Sequence, residues 1–226
     1  MIFAAPPPVA FSVSPARIAL VAPASRAIEL HNIGAERVAV DVTRASSDGR
    51  GAAKELLAIR PRHIVLGAGS HRVLTLRAGA SGRAGPGDHQ LRLLFVARPA
   101  HAGRVAVRLR LGVGVRVRVP GRTVRRLFVR GLRVRPIAGA RVLLVSVANT
   151  GNVTEQLRGR LTVTLFRRGR FVSRLRSRAA HELSPGTHAV VPLRYRGPAR
   201  GLVTAVVKAV PGTTGRPAVR RYRIRL

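Results

Sequence analysis

The chain has 226 residues, 46% of them apolar, and its 42 basic against 8 acidic side chains give a formal net charge of +34. With a mean hydropathy of +0.11, that composition excludes a disordered polyelectrolyte, which pairs high charge with few core-forming residues. Cys and Trp are absent, which excludes disulfide scaffolds, thiol chemistry and cysteine-ligated metal centres; the length suits one large domain or two small ones.

At the N-terminus, Met1-Ile2-Phe3-Ala4-Ala5-Pro6-Pro7-Pro8 has neither a basic n-region nor a full hydrophobic segment, yet it looks like the tail of a secretory signal. The expectation is that the signal lies upstream of Met1 and that the protein is extracellular or sits in the cell envelope. If Met1 is the true start, the protein is cytoplasmic. No run approaches the 18 or more apolar residues of a membrane-spanning helix.

Strand signals dominate the chain. Ser25 to Leu30, Arg37 to Thr43, His71 to Arg77 and Gln90 to Val96 are short, rich in β-branched residues and bounded by Gly, Pro or Asn. Ala52 to Ile59 is the one stretch that reads as helical. From Arg104 to Val119 every odd position is Val or Leu and every even one is Arg, Ala or Gly. This period of two places the aliphatics on one sheet face and the arginines on the other. Such a run would extend roughly 50 Å, so Gly112 and Gly114 are expected to mark a bulge or bend. Past Pro120 the pattern resumes with Arg125 to Val134, Arg141 to Ala148, Gly159 to Arg167 and Arg170 to Leu175. It continues with His188 to Tyr195, Leu202 to Val210 and Ala218 to Ile224. Between two of these runs, Arg167-Arg168-Gly169-Arg170 is a hairpin signal.

An internal repeat organises these strands. Ile28-Glu29-Leu30-His31-Asn32-Ile33-Gly34 leads a strand into an Asn-x-Gly turn, and Leu144-Val145-Ser146-Val147-Ala148-Asn149-Thr150-Gly151 does the same. Leu66-Gly67-Ala68-Gly69-Ser70-His71 likewise matches Leu183-Ser184-Pro185-Gly186-Thr187-His188. Asn32 to Asn149 and His71 to His188 are the same number of residues apart, so the spacing is constant. At these turns Asn bonds its own backbone two residues on and Gly takes positive φ, so Asn32, Gly34, Gly69, Asn149, Gly151 and Gly186 read as folding signals. The fold class is therefore all-β, two tandem immunoglobulin-like β-sandwiches of about seven strands each. Residues 1–10 form a Pro-rich leader, 11–119 the first sandwich and 120–226 the second, with a short, stiff junction at Pro120-Gly121.

Phe11-Ser12-Val13-Ser14-Pro15, Asn32-x-Gly34, Ile59-x-Pro61, Leu66-x-x-Gly69 and Gly87-Asp88-His89 together resemble the N-terminal sandwich of WxL-interacting proteins. More distantly the outline is similar to PapD-like periplasmic chaperones and other adhesin-type immunoglobulin folds. Asn149-Thr150-Gly151-Asn152 and Leu183-Ser184-Pro185-Gly186 resemble the sandwich that follows in such surface proteins. The first resemblance implies peptidoglycan binding at a Gram-positive cell surface. The chain departs from it in showing no signal peptide and no C-terminal membrane anchor. It also departs from pilus chaperones, because Lys54 and Lys208 do not offer the paired Arg and Lys that clamp a carboxylate there.

Catalytic constellations are lacking in the sequence. The eight carboxylates (Glu29, Glu36, Asp41, Asp48, Glu55, Asp88, Glu155 and Glu182) form no close pair for acid–base work. The seven His residues show neither His-x-His nor His-Glu-x-x-His spacing, so no metal and no cofactor is expected. Asp88-His89 is an adjacent acid–imidazole pair and reads as a surface-loop pair. No nucleophile elbow, phosphate loop or dinucleotide fingerprint occurs.

What remains is arginine. Lysine stands only at Lys54 and Lys208, and the other basic residues are Arg, a bias that lowers the weight of each one. Arg108, Arg110, Arg116 and Arg118 share one strand face and are the candidates for binding a polyanion or glycan. The expected activity is non-enzymatic: contact with cell-wall polymer or a partner surface protein through sheet faces, loops or strand edges. The alternative is a basic cytoplasmic protein binding nucleic acid, although stacking aromatics and a recognition helix are both missing.

Overall fold

Alternating aliphatic and polar residues make each strand two-faced, and burying the aliphatic faces against each other yields layered sheets. This computed structural model describes residues 10–46, 51–79, 83–99, 108–137, 139–213 and 215–226, with Gly51 and Ala52 described in the backbone only. The leader at 1–9, residues 104–107 of the long alternating run, Asp48 and His101 lie outside the described residues.

The chain divides into two compact units, 1–121 and 122–226. In the first unit the strands are β1 (Phe11–Ser14), β2 (Arg17–Val21), β3 (Ala24–Asn32), β4 (Val38–Ser46), β5 (Leu57–Arg60), β6 (His63–Leu66), β7 (His71–Ala78), β8 (Gly87–Pro99) and β9 (Leu109–Val119). They form a four-stranded sheet ordered β1-β3-β7-β5 and a five-stranded sheet ordered β2-β9-β8-β4-β6. Ile28, Leu30, Leu74 and Leu76 of one sheet join Val40, Leu93, Phe95 and Val115 of the other in one core. The first edge changes layer: β1 pairs antiparallel with β3, whereas β2 runs parallel to β9.

The second unit comprises β10 (Leu127–Ile137), β11 (Ala140–Asn149), β12 (Glu155–Gln156), β13 (Leu161–Arg167), β14 (Arg170–Arg176), β15 (Glu182–Leu183), β16 (His188–Tyr195), β17 (Leu202–Ala209) and β18 (Ala218–Arg225). Its sheets are β10-β11-β16, β14-β13-β17-β18 and the small pair β12-β15. Val145, Val147, Leu193, Leu161, Val163 and Val207 lie in its core.

Among the described residues each unit has nine strands where about seven are expected, because the first unit divides two of its edges between the sheets, as β1/β2 and β5/β6, and the second adds two two-residue strands. Ala52 to Ile59 is not an α-helix: a 3₁₀ turn spans Gly51–Leu56 and the chain then enters β5. No bulge occurs at Gly112 or Gly114, since β9 stays in register with β8 from Gly87↔Val119 to Ala97↔Leu109. Gly112 instead leaves room for the Arg92 side chain, whose Cδ would lie 3.3 Å from a Cβ at that position. Register shifts fall at Val129/Gly131 and Leu165/Phe166. The β13–β14 hairpin forms as the sequence predicts, with Arg168 at φ 48° and Gly169 at φ 80°, the two positive values of a type I′ turn.

Candidate functional site

The repeated Asn positions are built into the interior. Asn32 is fully buried; its Nδ2 donates to the carbonyls of Glu36 (2.8 Å), Gly67 (2.8 Å) and Leu66 (3.3 Å), and its Oδ1 accepts from Gly34 N (3.0 Å). Asn149 reproduces this circuit: Nδ2 donates to Val153 O (2.7 Å) and Leu183 O (2.8 Å), and Oδ1 accepts from Gly151 N (2.9 Å). The backbone repeats as well, with Asn32 N donating to Ser70 O and Asn149 N to Thr187 O, each at 2.9 Å. These residues therefore staple two connections together in each unit, where a buried polar group is tolerated only if bonded.

Two details differ from the sequence expectation. Positive φ falls on Gly69 (66°) and Gly186 (73°) but not on Gly34 or Gly151, so the glycine of Asn-x-Gly is not there for left-handed backbone. At Gly151 the requirement is close approach, because a Cβ would overlap the Val124 carbonyl oxygen.

The four candidate arginines occupy even-numbered positions of one alternating run, on one face, but their surroundings differ. Arg108 and Arg110 are exposed and Arg116 and Arg118 half-buried, with Gly112 and Gly114 between the two pairs. Arg118 is committed: its Nε and Nη2 donate to Asp88 Oδ1 (2.6 Å) and Oδ2 (2.9 Å). Asp88 is no surface-loop residue, since it is the second residue of β8 and its side chain has no exposure. The bidentate hydrogen bond to Asp88, above all, holds the Arg118 guanidinium above its ordinary value. Its contribution is present at neutral pH, and on the alkaline side it persists until the pH passes the usual Arg range. His89 Nε2 lies 2.8 Å from Gly85 O, so the adjacent acid and imidazole serve different partners.

Sequence spacing misses one acid–imidazole contact. Asp41 on β4 lies opposite His63 on β6, with Oδ1 2.7 Å from His63 Nδ1, and Arg98 Nη2 is 3.1 Å from Oδ2. The residues are far apart in sequence, and only strand register brings them together. None of the three is buried and no hydroxyl nucleophile is bonded to the imidazole, so this is a surface charge cluster. Among the described residues no three His, Asp or Glu side chains converge as a metal set, and no helix is long and apolar enough to cross a membrane.

The notable feature of β9 is its edge. On one side it pairs with β8 along its whole length, but on the other β2 covers only Gly114–Arg118. Among the described residues no strand pairs with Leu109–Val113 on that side. Leu109 and Leu111 there are half-buried and pack against the core of the first unit.

Sheet order and layering define a protein of tandem immunoglobulin-like sandwiches. No protein-family model matches the sequence, and no curated protein matches it. Solved structures do match in fold. The class 5 fimbriae chaperone CfaA is 11% identical over 95% of this chain and 98% of its own, with a TM-score of 0.54. A chain of the chaperone–tip adhesin complex of CFA/I fimbriae biogenesis is 12% identical over 94% and 98%, at 0.53. The E. coli chaperone DraB is 12% identical over 96% and 98%, at 0.50. The chain thus shares the fold of these fimbrial chaperones, and the expected resemblance to WxL-interacting proteins is not supported.

Proposed function

We propose that this protein is a non-enzymatic binding protein of the cell envelope that holds a partner surface protein along the open edge of β9. The observation that carries this reading is the Leu109–Val113 stretch, which has no paired strand on one side while β8 fixes it on the other. An unpaired edge offers main-chain donors and acceptors to an incoming strand, and alternate side chains supply the selectivity. Leu109 and Leu111 are the side chains this stretch offers. The fold-mates named above are fimbrial chaperones, one of them from a complex with a tip adhesin, which supports a fibre subunit lacking a strand of its own sandwich as the partner.

The test mixes the full chain with a fimbrial subunit from which one edge strand has been deleted and follows amide exchange. Protection confined to Leu109–Val113, and at least a tenfold weaker complex for Leu109→Ser/Leu111→Ser, is expected. Unchanged exchange along β9 would overturn the proposal. Parallel pull-downs on cell-wall sacculi and on duplex DNA at two ionic strengths test the glycan and nucleic-acid alternatives. DNA binding would fall with a log–log slope near −0.9 per phosphate contact.

A further inference from the structure

The β14-β13-β17-β18 sheet of the second unit ends, beside the type I′ hairpin, in a rim that is both cationic and apolar. Phe171 and Leu202 are 62% and 64% exposed, among the most exposed large apolar side chains of the described residues. Strand register places them close together: Phe171 pairs with Phe166, Phe166 with Thr204, and Leu202 lies two positions before Thr204 on β17. Two strand spacings, about 10 Å, separate β14 from β17 there. A recess at this end is lined by Phe166, Arg167, Arg168, Leu202 and Arg223, and Arg225 lies opposite Leu202.

No Asp or Glu occurs on any of these four strands. The two carboxylates of the unit are engaged elsewhere, Glu155 with Arg125 Nη1 (2.9 Å) and Gly212 N (2.7 Å), and Glu182 with Gln156 Nε2 (2.7 Å). The arginines of the rim have no ion-pair partner among the described residues.

We infer that this rim docks on the surface of an anionic lipid bilayer. Arg167, Arg168 and Arg223 would meet lipid phosphates, while Phe171 and Leu202 enter the acyl boundary. Each half of the rim alone is ordinary: cations attract any polyanion, and single exposed apolar residues need no explanation. Together they match an interface whose outer layer is anionic and whose next layer is hydrocarbon, with the long Arg stems reaching back to the headgroups. Nucleic acid fits less well. A base stacks on an open ring face, whereas Phe171 and Phe166 meet edge to face, 79° apart with centroids at 6.4 Å, and Leu202 offers a base nothing.

The experiment is vesicle co-sedimentation of the full chain, using phosphatidylcholine alone and phosphatidylcholine with phosphatidylglycerol. Because a charge of +34 binds any acidic surface, discrimination rests on paired variants. Arg167→Gln/Arg168→Asn/Arg223→Gln is expected to weaken binding to the acidic vesicles by about a hundredfold. The control Arg130→Gln/Arg133→Gln/Arg135→Gln removes the same charge from β10 and should weaken it by about tenfold or less. Phe171→Ser/Leu202→Ser, with charge unchanged, should cost about tenfold or more. The chain contains no Trp, so Phe171→Trp supplies a unique fluorophore, whose emission should shift to the blue on acidic vesicles and be quenched by brominated acyl chains. Equal losses from the two arginine triples, no loss from the apolar pair, or an introduced indole that stays in water would overturn the inference. So would tighter binding of single-stranded DNA that depends on the same three arginines.

Discussion

The two units keep the same interior polar device and differ in what they show to solvent. Asn32 and Asn149 make equivalent bonds at equivalent places, closing the same pair of connections in each sandwich. The charge is divided unequally: residues 122–226 hold 24 of the 42 basic side chains and only two of the eight carboxylates. In the first unit Asp41 and Asp88 draw His63, Arg98 and Arg118 into pairs; in the second Glu155 is buried with Arg125, and most arginines face water. Buried hydrogen-bonding groups are constrained by the cost of leaving them unmet, whereas surface charge contributes little to folding and is free to diverge. Difference in function between the units is therefore to be sought on their surfaces: an open strand edge in one, a cationic and apolar rim in the other.

The largest expected effect comes from stripping the buried carboxylate of the first unit of its arginine. Arg118→Ala leaves the Asp88 carboxylate inside the first sandwich without its bidentate partner, and a loss of about 3 kcal/mol is expected. Arg125→Ala should cost less, about 2 kcal/mol, because it removes one hydrogen bond from Glu155 where Arg118→Ala removes two from Asp88. Urea unfolding followed by amide exchange in each unit separates the two. If Arg125→Ala proves the more damaging, the ranking of the two pairs fails. Close behind, Asn32→Ala and Asn149→Ala each strand two or more carbonyls, and about 2–3 kcal/mol is expected for both. The equivalence of the two staples predicts that these losses agree within about 1 kcal/mol. A difference well beyond that would refute the equivalence.

Most of the fold is legible in the sequence because two-residue periodicity is a local signal. The runs at 71–77, 188–195 and 218–224 give strands that differ from the observed ones by at most a residue. The Asn staples are also legible, as a repeat, though not their reason: nothing local shows that Gly151 faces the backbone at Val124. Short edges escape. β2, β5 and β6 have four or five residues each, too few for a pattern, and they become strands only through partners distant in the chain. The candidate site suffers from the same blindness. Leu109 to Val119 reads as one uniform strand, yet β2 covers half of one flank, and only the three-dimensional pairing shows which half stays open. The Arg118–Asp88 pair is hidden likewise, so an arginine that reads as surface charge is in fact a structural clamp.

Glycines sharpen the comparison at smaller scale, because two physical demands on the same residue type can be told apart. Gly151→Ala places a methyl group against the Val124 carbonyl, and relief requires backbone movement in the connection before β10, so about 2 kcal/mol or more is expected. Gly186→Ala meets no atom within 4 Å, and its cost is only that of holding an L-residue at φ 73°, about 1 kcal/mol. Asn tolerates left-handed backbone better than Ala does, so Gly186→Asn should recover part of that loss. Gly151→Asn should recover none, since its Cβ occupies the same forbidden place. Thermal melts of the four variants check this pattern: rescue by Asn at 151 would mean that conformation, not contact, selects glycine there. The smallest change expected is at Arg168, where φ 48° suits Asn better than Arg. Arg168→Asn should raise the stability of the second unit by about 0.5 kcal/mol, even as it removes one cation from the rim.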